Sequence, residues 1–232
     1  MEQKMKHSIQ AIIFDMDGTI LDTEPVWERG NRYILSTHAP HLTADQVNEV
    51  IEYRRGIRTP DELATMLQKH CTPFMTIAHI REIKTAYVLN LYETEGVSFI
   101  PYFHEFHTKL SNFGLQSAIA TNSNANALEK IMIKTPLQSY FKQHVYPIDT
   151  VYKKYKPSPD IYLHAAKMLE INPKYCVAIE DSPNGIKAAK AAGMYCIGIN
   201  SRKNRALLTQ ADEIVDCFSE IDLDKLLNIE KL

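Results

Sequence analysis

Two aspartates two residues apart, Asp15 and Asp17, follow the apolar run Ala11-Ile12-Ile13-Phe14, and Gly18 comes next. If a strand carries that run onward, residues i and i+2 point to the same side, so both carboxylates face one spot. Two carboxylates that close repel each other unless a cation is shared, and a hard divalent ion such as Mg²⁺ suits oxygen ligands. Gly18 lets the backbone turn there without a side chain in the way of a substrate. A second acidic pair, Glu180 and Asp181, ends the apolar run "CVAI". A third run ends in "ATNSN", which offers the Thr121 hydroxyl, the Asn122 amide and the start of a helix, where backbone N–H groups hold anions. Lys156 precedes two prolines in "KPSPD", a stiff loop that limits how far its ammonium can travel. Acids for a divalent cation, with a hydroxyl and an ammonium for an anion, describe a phosphate site.

The elements that must position these residues read as follows. Ala11–Phe14, Gln116–Ala120, Cys176–Ile179 and Tyr195–Ile199 are short and apolar without alternation, as strands covered on both faces should be. Helical patterns at Phe103–Phe113, Ala125–Lys134, Asp160–Leu169 and Ile186–Ala192 separate or precede them, the last ended by Gly193. A weak strand at Glu213–Val215 and a helix near Leu223–Leu227 complete the series. That rhythm predicts an α/β fold, a Rossmann-like parallel sheet with helices on both faces, whose ligands bind at the C-terminal strand ends. Residues 23–95 break the rhythm with helices expected at Pro25–Ser36, Ala44–Tyr53, Asp61–His70 and Ile77–Glu93. We therefore expect a small all-helical domain at 23–95, inserted into a catalytic core of 1–22 and 96–232.

Composition narrows the partners. A formal net charge of −2 gives no electrostatic attraction to nucleic acid or an anionic membrane. No apolar run approaches the ~20 residues of a membrane span, and the first ten residues are polar and mixed in charge. Cys71, Cys176, Cys196 and Cys217 are widely spaced and form no CxxC pair. The expectation is a soluble cytoplasmic protein with reduced thiols and no obligate protein partner. His104 and His107 stand i, i+3 but lack further ligands for zinc, and read as surface or half-buried residues. Neither a P-loop nor a GxGxxG is present.

The segments "DMDGT" (15–19), "TNS" (121–123), "KPSPD" (156–160) and "EDSPNG" (180–185) occur in the order found in the haloacid dehalogenase-like hydrolase superfamily. The chain resembles its members with a helical cap after the first strand, such as phosphoglycolate phosphatases and β-phosphoglucomutases. The resemblance implies a Mg²⁺-dependent phosphatase acting on a small phosphorylated metabolite. Asp15 is then the nucleophile that forms an aspartyl-phosphate, and Asp17 the acid and base. Asp15, Asp17 (through its backbone carbonyl) and Asp181 hold Mg²⁺, with Glu180 nearby. Thr121, the Asn122 backbone and Lys156 hold phosphate.

It also implies that the cap closes over the core site and selects the leaving group. In "EYRRGIRTP" (52–60), Gly56 permits a sharp turn, and Arg54, Arg55 and Arg58 are candidates for meeting an anionic substrate; they also read as ordinary solvated charges. Trp27 either faces the cleft or packs within the cap. Two departures stand out: Tyr155 replaces the glycine usual before the lysine, and Trp27 occupies the position where phosphomutases carry a histidine. A sugar phosphomutase is therefore the alternative to a phosphatase, with a non-catalytic binding relative behind it.

Overall fold

A computed structural model describes residues 9–53 and 60–227 of the 232-residue chain. Six strands form one sheet: β1 (Ala11–Phe14), β2 (Gln116–Ala120), β3 (Val145–Tyr146), β4 (Cys176–Glu180), β5 (Tyr195–Ile199) and β6 (Glu213–Val215). Their order is β3-β2-β1-β4-β5-β6, every pair parallel. The order turns back at β1, so a crevice opens beyond the carboxyl end of the β1–β4 pair.

The helices are α1 (Glu24–His38), α2 (Ala44–Tyr53), α3 (Pro60–Gln68), α4 (Ile77–Thr94), α5 (Phe103–Asn112), α6 (Ala125–Lys134), α7 (Leu137–Phe141), α8 (Asp160–Met168), α9 (Pro183–Ala191) and α10 (Leu223–Leu227). None among the described residues is long and apolar enough to cross a membrane.

Alternation along the strands assigns the two faces. Ala11, Ile13, Ala118, Ala178 and Cys196 pack with Ile161 and Ala165 of α8 and Ile186 and Ala189 of α9. Small strand residues suit close helix approach on that face. Phe14 faces the other way, and its ring meets Phe103, Phe106, Phe141 and Phe218 at centroid distances of 5.6 to 6.2 Å. Burying an aromatic side chain of this kind contributes about 2–3 kcal/mol, which stiffens the strand that ends at Asp15.

The chain divides into two compact units, one running to Asp22 and resuming at Ser98, the other spanning Thr23–Val97. Within the first, the outgoing and returning segments run side by side: Asp22 N–H donates to the Ser98 carbonyl at 2.9 Å and Ile100 N–H to Ile20 at 2.7 Å. Among the described residues the second has helices as its only regular elements, with Ile34, Leu35, Ile51, Ala64, Leu67 and Ile80 in its core. Thr43 and Gln46 open α2 with a reciprocal cap, Thr43 N–H to Gln46 Oε1 at 2.8 Å and Gln46 N–H to Thr43 Oγ1 at 3.3 Å. Glu95 and Gly96 N–H groups still bond the Leu91 carbonyl at the end of α4, and the second unit runs on to Val97.

Three further differences have simple causes. β3 has two residues and α7 five, too short to carry a periodic signal. α9 starts at Pro183, not Ile186, because Ser182 Oγ accepts the Gly185 N–H at 3.1 Å and proline suits the first helical turn. His107 is buried, 7% exposed, while His104 is exposed.

His107 Nε2 lies 3.0 Å from Ser117 Oγ, with the rings of Phe103, Tyr140 and Phe141 around it. Burial pushes its pKa down to about 4. The unfolded chain therefore binds the proton first as pH falls, and stability declines from about pH 6.5 toward pH 4. The loss expected from this one group is on the order of 3 kcal/mol. Urea titrations across that range should show a shallower decline in His107→Gln; an unchanged decline would move the cause elsewhere. All four cysteines are free thiols, and burial raises the Cys176 pKa to about 12.

Candidate active site

Register brings the acids together. Phe14 pairs with Ile179, and Asp15 N–H donates to the Ile179 carbonyl at 3.0 Å, so Asp15 and Glu180 extend from neighbouring strands. The chain then folds tightly: Thr19, Ile20 and Leu21 N–H groups all reach the Met16 carbonyl, at 3.3, 3.0 and 3.0 Å. Gly18 sits at φ +83°, a left-handed conformation, and a Cβ there would strike the Asp181 carboxylate. Gly185 answers the same need on the far side, where a Cβ would strike the Glu180 carboxylate.

Lys156 lies at the centre of this cluster. Its ammonium donates to Asp15 Oδ1 at 2.6 Å, to Glu180 Oε1 at 2.7 Å and to the Ala120 carbonyl at 2.8 Å. Tyr162 donates its hydroxyl to the same Glu180 oxygen at 2.9 Å, and its ring centroid lies 4.8 Å from the ammonium. Ser182 gives Glu180 Oε2 both its hydroxyl, at 3.0 Å, and its N–H, at 3.3 Å. Glu180 thus accepts from several donors and helps to hold Lys156 in place. Burial alone would lower the lysine pKa, but Asp15 and Glu180 reverse that and hold it above its ordinary value, fully charged.

Asp17 is oriented from the next strand end: Ser123 Oγ donates to Asp17 Oδ2 at 2.7 Å, and the Thr121 hydroxyl lies 3.5 Å from the same oxygen. The Thr121 oxygen also accepts the Ser123 N–H at 3.0 Å. Asn122 Oδ1 accepts the Lys156 N–H at 3.1 Å, tying the lysine loop to β2. At α6 the first N–H, from Ala125, already bonds the Asp149 carboxylate at 2.7 Å.

Tyr155 itself is not among the residues of positive φ; upstream, Tyr152 and Lys153 are, at 53° and 58°. Lys154, the other neighbouring lysine, pairs with Asp160 at 2.8 Å. Lys156 is the lysine that reaches the acids.

Oxygens of Asp15, Glu180 and Asp181, all buried, lie within 4.8 Å of one another. An all-carboxylate set of this kind fits a hard divalent cation such as Mg²⁺. The Asp17 side chain is turned to Ser123 rather than into that set. Burial pushes Asp181 up to about 6, and the Arg202 guanidinium, whose Nε donates to its Oδ2 at 2.7 Å, opposes the rise. Arg202, Ser123, Tyr162 and Thr19 escaped sequence reasoning. Ser123 had a signal in "TNS", whereas Arg202 stands in a loop with no motif of its own.

In the helical unit, Trp27 is half-buried on α1, with the ammonium of the buried Lys84 5.6 Å from its ring centroid. Arg54, Arg55, Gly56 and Arg58 lie outside the described residues.

Residues 9–193 match the haloacid dehalogenase-like hydrolase family. The chain is 32% identical over 224 residues to protein CbbY of Cereibacter sphaeroides, covering 92% of this chain and 94% of that one. Hexitol phosphatase A of Escherichia coli is 26% identical over 225 residues, with 94% and 96% covered. Among solved structures, CbbY from Rhodobacter sphaeroides in complex with phosphate superimposes with a TM-score of 0.66 at 27% identity, over 91% of this chain and 96% of that one. The carboxylate cluster at the switch point of a parallel sheet and these likenesses agree: the chain belongs to the haloacid dehalogenase-like hydrolase family, as one of its phosphatase-type enzymes.

Proposed function

We propose that the protein is a Mg²⁺-dependent phosphatase that hydrolyses a small phosphorylated, sugar-like metabolite through an aspartyl-phosphate. The observation that carries this reading is the buried ammonium of Lys156 bridging Asp15 and Glu180, with Asp17 held two residues on. A carboxylate oxygen of Asp15 attacks phosphorus, and the bond to the leaving oxygen breaks. Protonated Asp17 gives its proton to that oxygen, so the alcohol departs neutral. Water then attacks the same phosphorus and yields its proton to Asp17. The bond to Asp15 breaks, inorganic phosphate leaves, and both aspartates return to their starting states.

Lys156 steadies the charge on Asp15 and on the phosphate oxygens, while Thr121 and the backbone of Asn122 bind the remaining oxygens. Ser123 aims Asp17. A divalent ion held by Asp15, Asp181 and the Asp17 carbonyl supplies, when bound, the positive charge that lets two anions meet. Choice of leaving group is assigned to the helical unit, with Trp27 as a selecting residue.

The test is phosphate release from a panel of hexitol, hexose, pentose and nucleoside phosphates and phosphoglycolate, with and without Mg²⁺. Metal-dependent release, strongest on a sugar-like substrate, is the expected result. Isomerisation of a sugar phosphate without net release would replace the reading by a phosphomutase. No turnover of any kind would overturn it.

A further inference from the structure

The buried charges at the strand ends are unevenly shared. Lys156 serves Asp15 and Glu180, at 2.6 and 2.7 Å, and leaves Asp181 to a different cation. That cation is Arg202, whose Nε sits 2.7 Å from Asp181 Oδ2. The aspartate side chain is 2% exposed, yet the arginine side chain is 45% exposed. One end of the pair is thus fixed in the protein interior and the other is open to water.

The loop that delivers Arg202 is well anchored. Asn200 N–H donates to the Val215 carbonyl at 2.8 Å, Asn200 Nδ2 to Asp216 Oδ1 at 2.7 Å, and Lys203 N–H to the Asn200 carbonyl at 3.2 Å. Asp181 itself has little freedom. Gly18 lies against its Oδ2, and the Thr19 hydroxyl is 3.5 Å from its Oδ1. A guanidinium beside one oxygen of a fixed carboxylate occupies the charge that a divalent ion must use.

We propose that Arg202 is a resident counter-ion of Asp181 that competes with the divalent cation and so sets the metal affinity of the site. The inference rests on the metal reading of Asp15 and Asp181 given above. In the metal-free protein Arg202 relieves a buried negative charge. When a dication arrives, the two positive charges repel across a few ångströms, and the exposed guanidinium yields. Metal affinity is therefore held below what the carboxylates alone would reach. A low-affinity site makes turnover responsive to the free cation concentration rather than permanently saturated.

The test is calorimetric titration of Mg²⁺ into the metal-stripped full chain, for wild type, Arg202→Gln and Arg202→Lys. Glutamine keeps a donor and removes the charge; lysine keeps the charge. Arg202→Gln is expected to bind Mg²⁺ ~10-fold more tightly, and Arg202→Lys close to wild type. In chelator the glutamine variant should unfold at a lower temperature, and Mg²⁺ should raise its midpoint by more than that of wild type. Equal or weaker binding by Arg202→Gln overturns the proposal, because Arg202 would then only orient the carboxylate. A wild type that binds no ion overturns this inference and the metal reading together, whereas normal wild-type binding confines any failure to Arg202.

Discussion

Replacing Asp15 by asparagine is expected to lower phosphate release by at least ~10⁴-fold, the scale lost when a covalent nucleophile is removed. The change keeps the shape of the side chain and its place beside Ile179, so the strand end should not rearrange. It also removes one of the acids that crowd Lys156, leaving Glu180 as the ammonium's partner at 2.7 Å. Burial pushes Asp15 upward, and Lys156 counters it. Neutralising that carboxylate is thus expected to cost the fold little. The measurement pairs initial rates on the best substrate with thermal unfolding. A well-folded variant with a collapsed rate supports direct attack by Asp15. A variant that keeps more than a few per cent of the rate would mean that another group, such as an activated water, attacks phosphorus.

The second large effect falls on Lys156. Lys156→Met removes the cation bonded to both Asp15 and Glu180, and leaves both carboxylates buried. Removing one partner of a buried pair costs about 3–5 kcal/mol. In a chain of this size that corresponds to a fall of roughly 6–20 °C in the unfolding midpoint. Activity should fall as well, since the charge that steadies Asp15 and phosphate is gone.

A double variant separates the two causes. Adding Glu180→Gln removes the second acid of the triad and should recover part of the stability without recovering the rate. If Lys156→Met unfolds at the wild-type temperature, the buried pair is not the support described here. The lysine pKa is raised, so its contribution is complete below the unfolded value of ~10.4 and is lost only as pH climbs through the raised one. Stability from this group is accordingly flat across neutral pH, in contrast to the decline expected from His107.

What could be read from the chain alone was whatever depends on local pattern. Apolar runs at 11–14, 116–120, 176–179 and 195–199 marked strands covered on both faces, a weaker pattern marked 213–215, and the structure has strands at each of them. Acids at two of those ends, with an early lysine in a proline-bound loop, marked the chemistry, because a phosphate site needs cations and anions gathered at one sheet edge. Two-residue β3 and five-residue α7 were beyond any periodic signal.

Tertiary structure alone decided how the charges are shared. Register set Asp15 beside Glu180, which placed Glu180 in the carboxylate cluster and made it a support of Lys156 as well. The Asn122 side chain bonds the lysine loop, while Ser123 fixes Asp17. Arg202 reaches Asp181 across 21 residues of sequence, through the crossover from β4 to β5. Such pairings depend on which strand ends lie side by side, and no spacing within one segment encodes that.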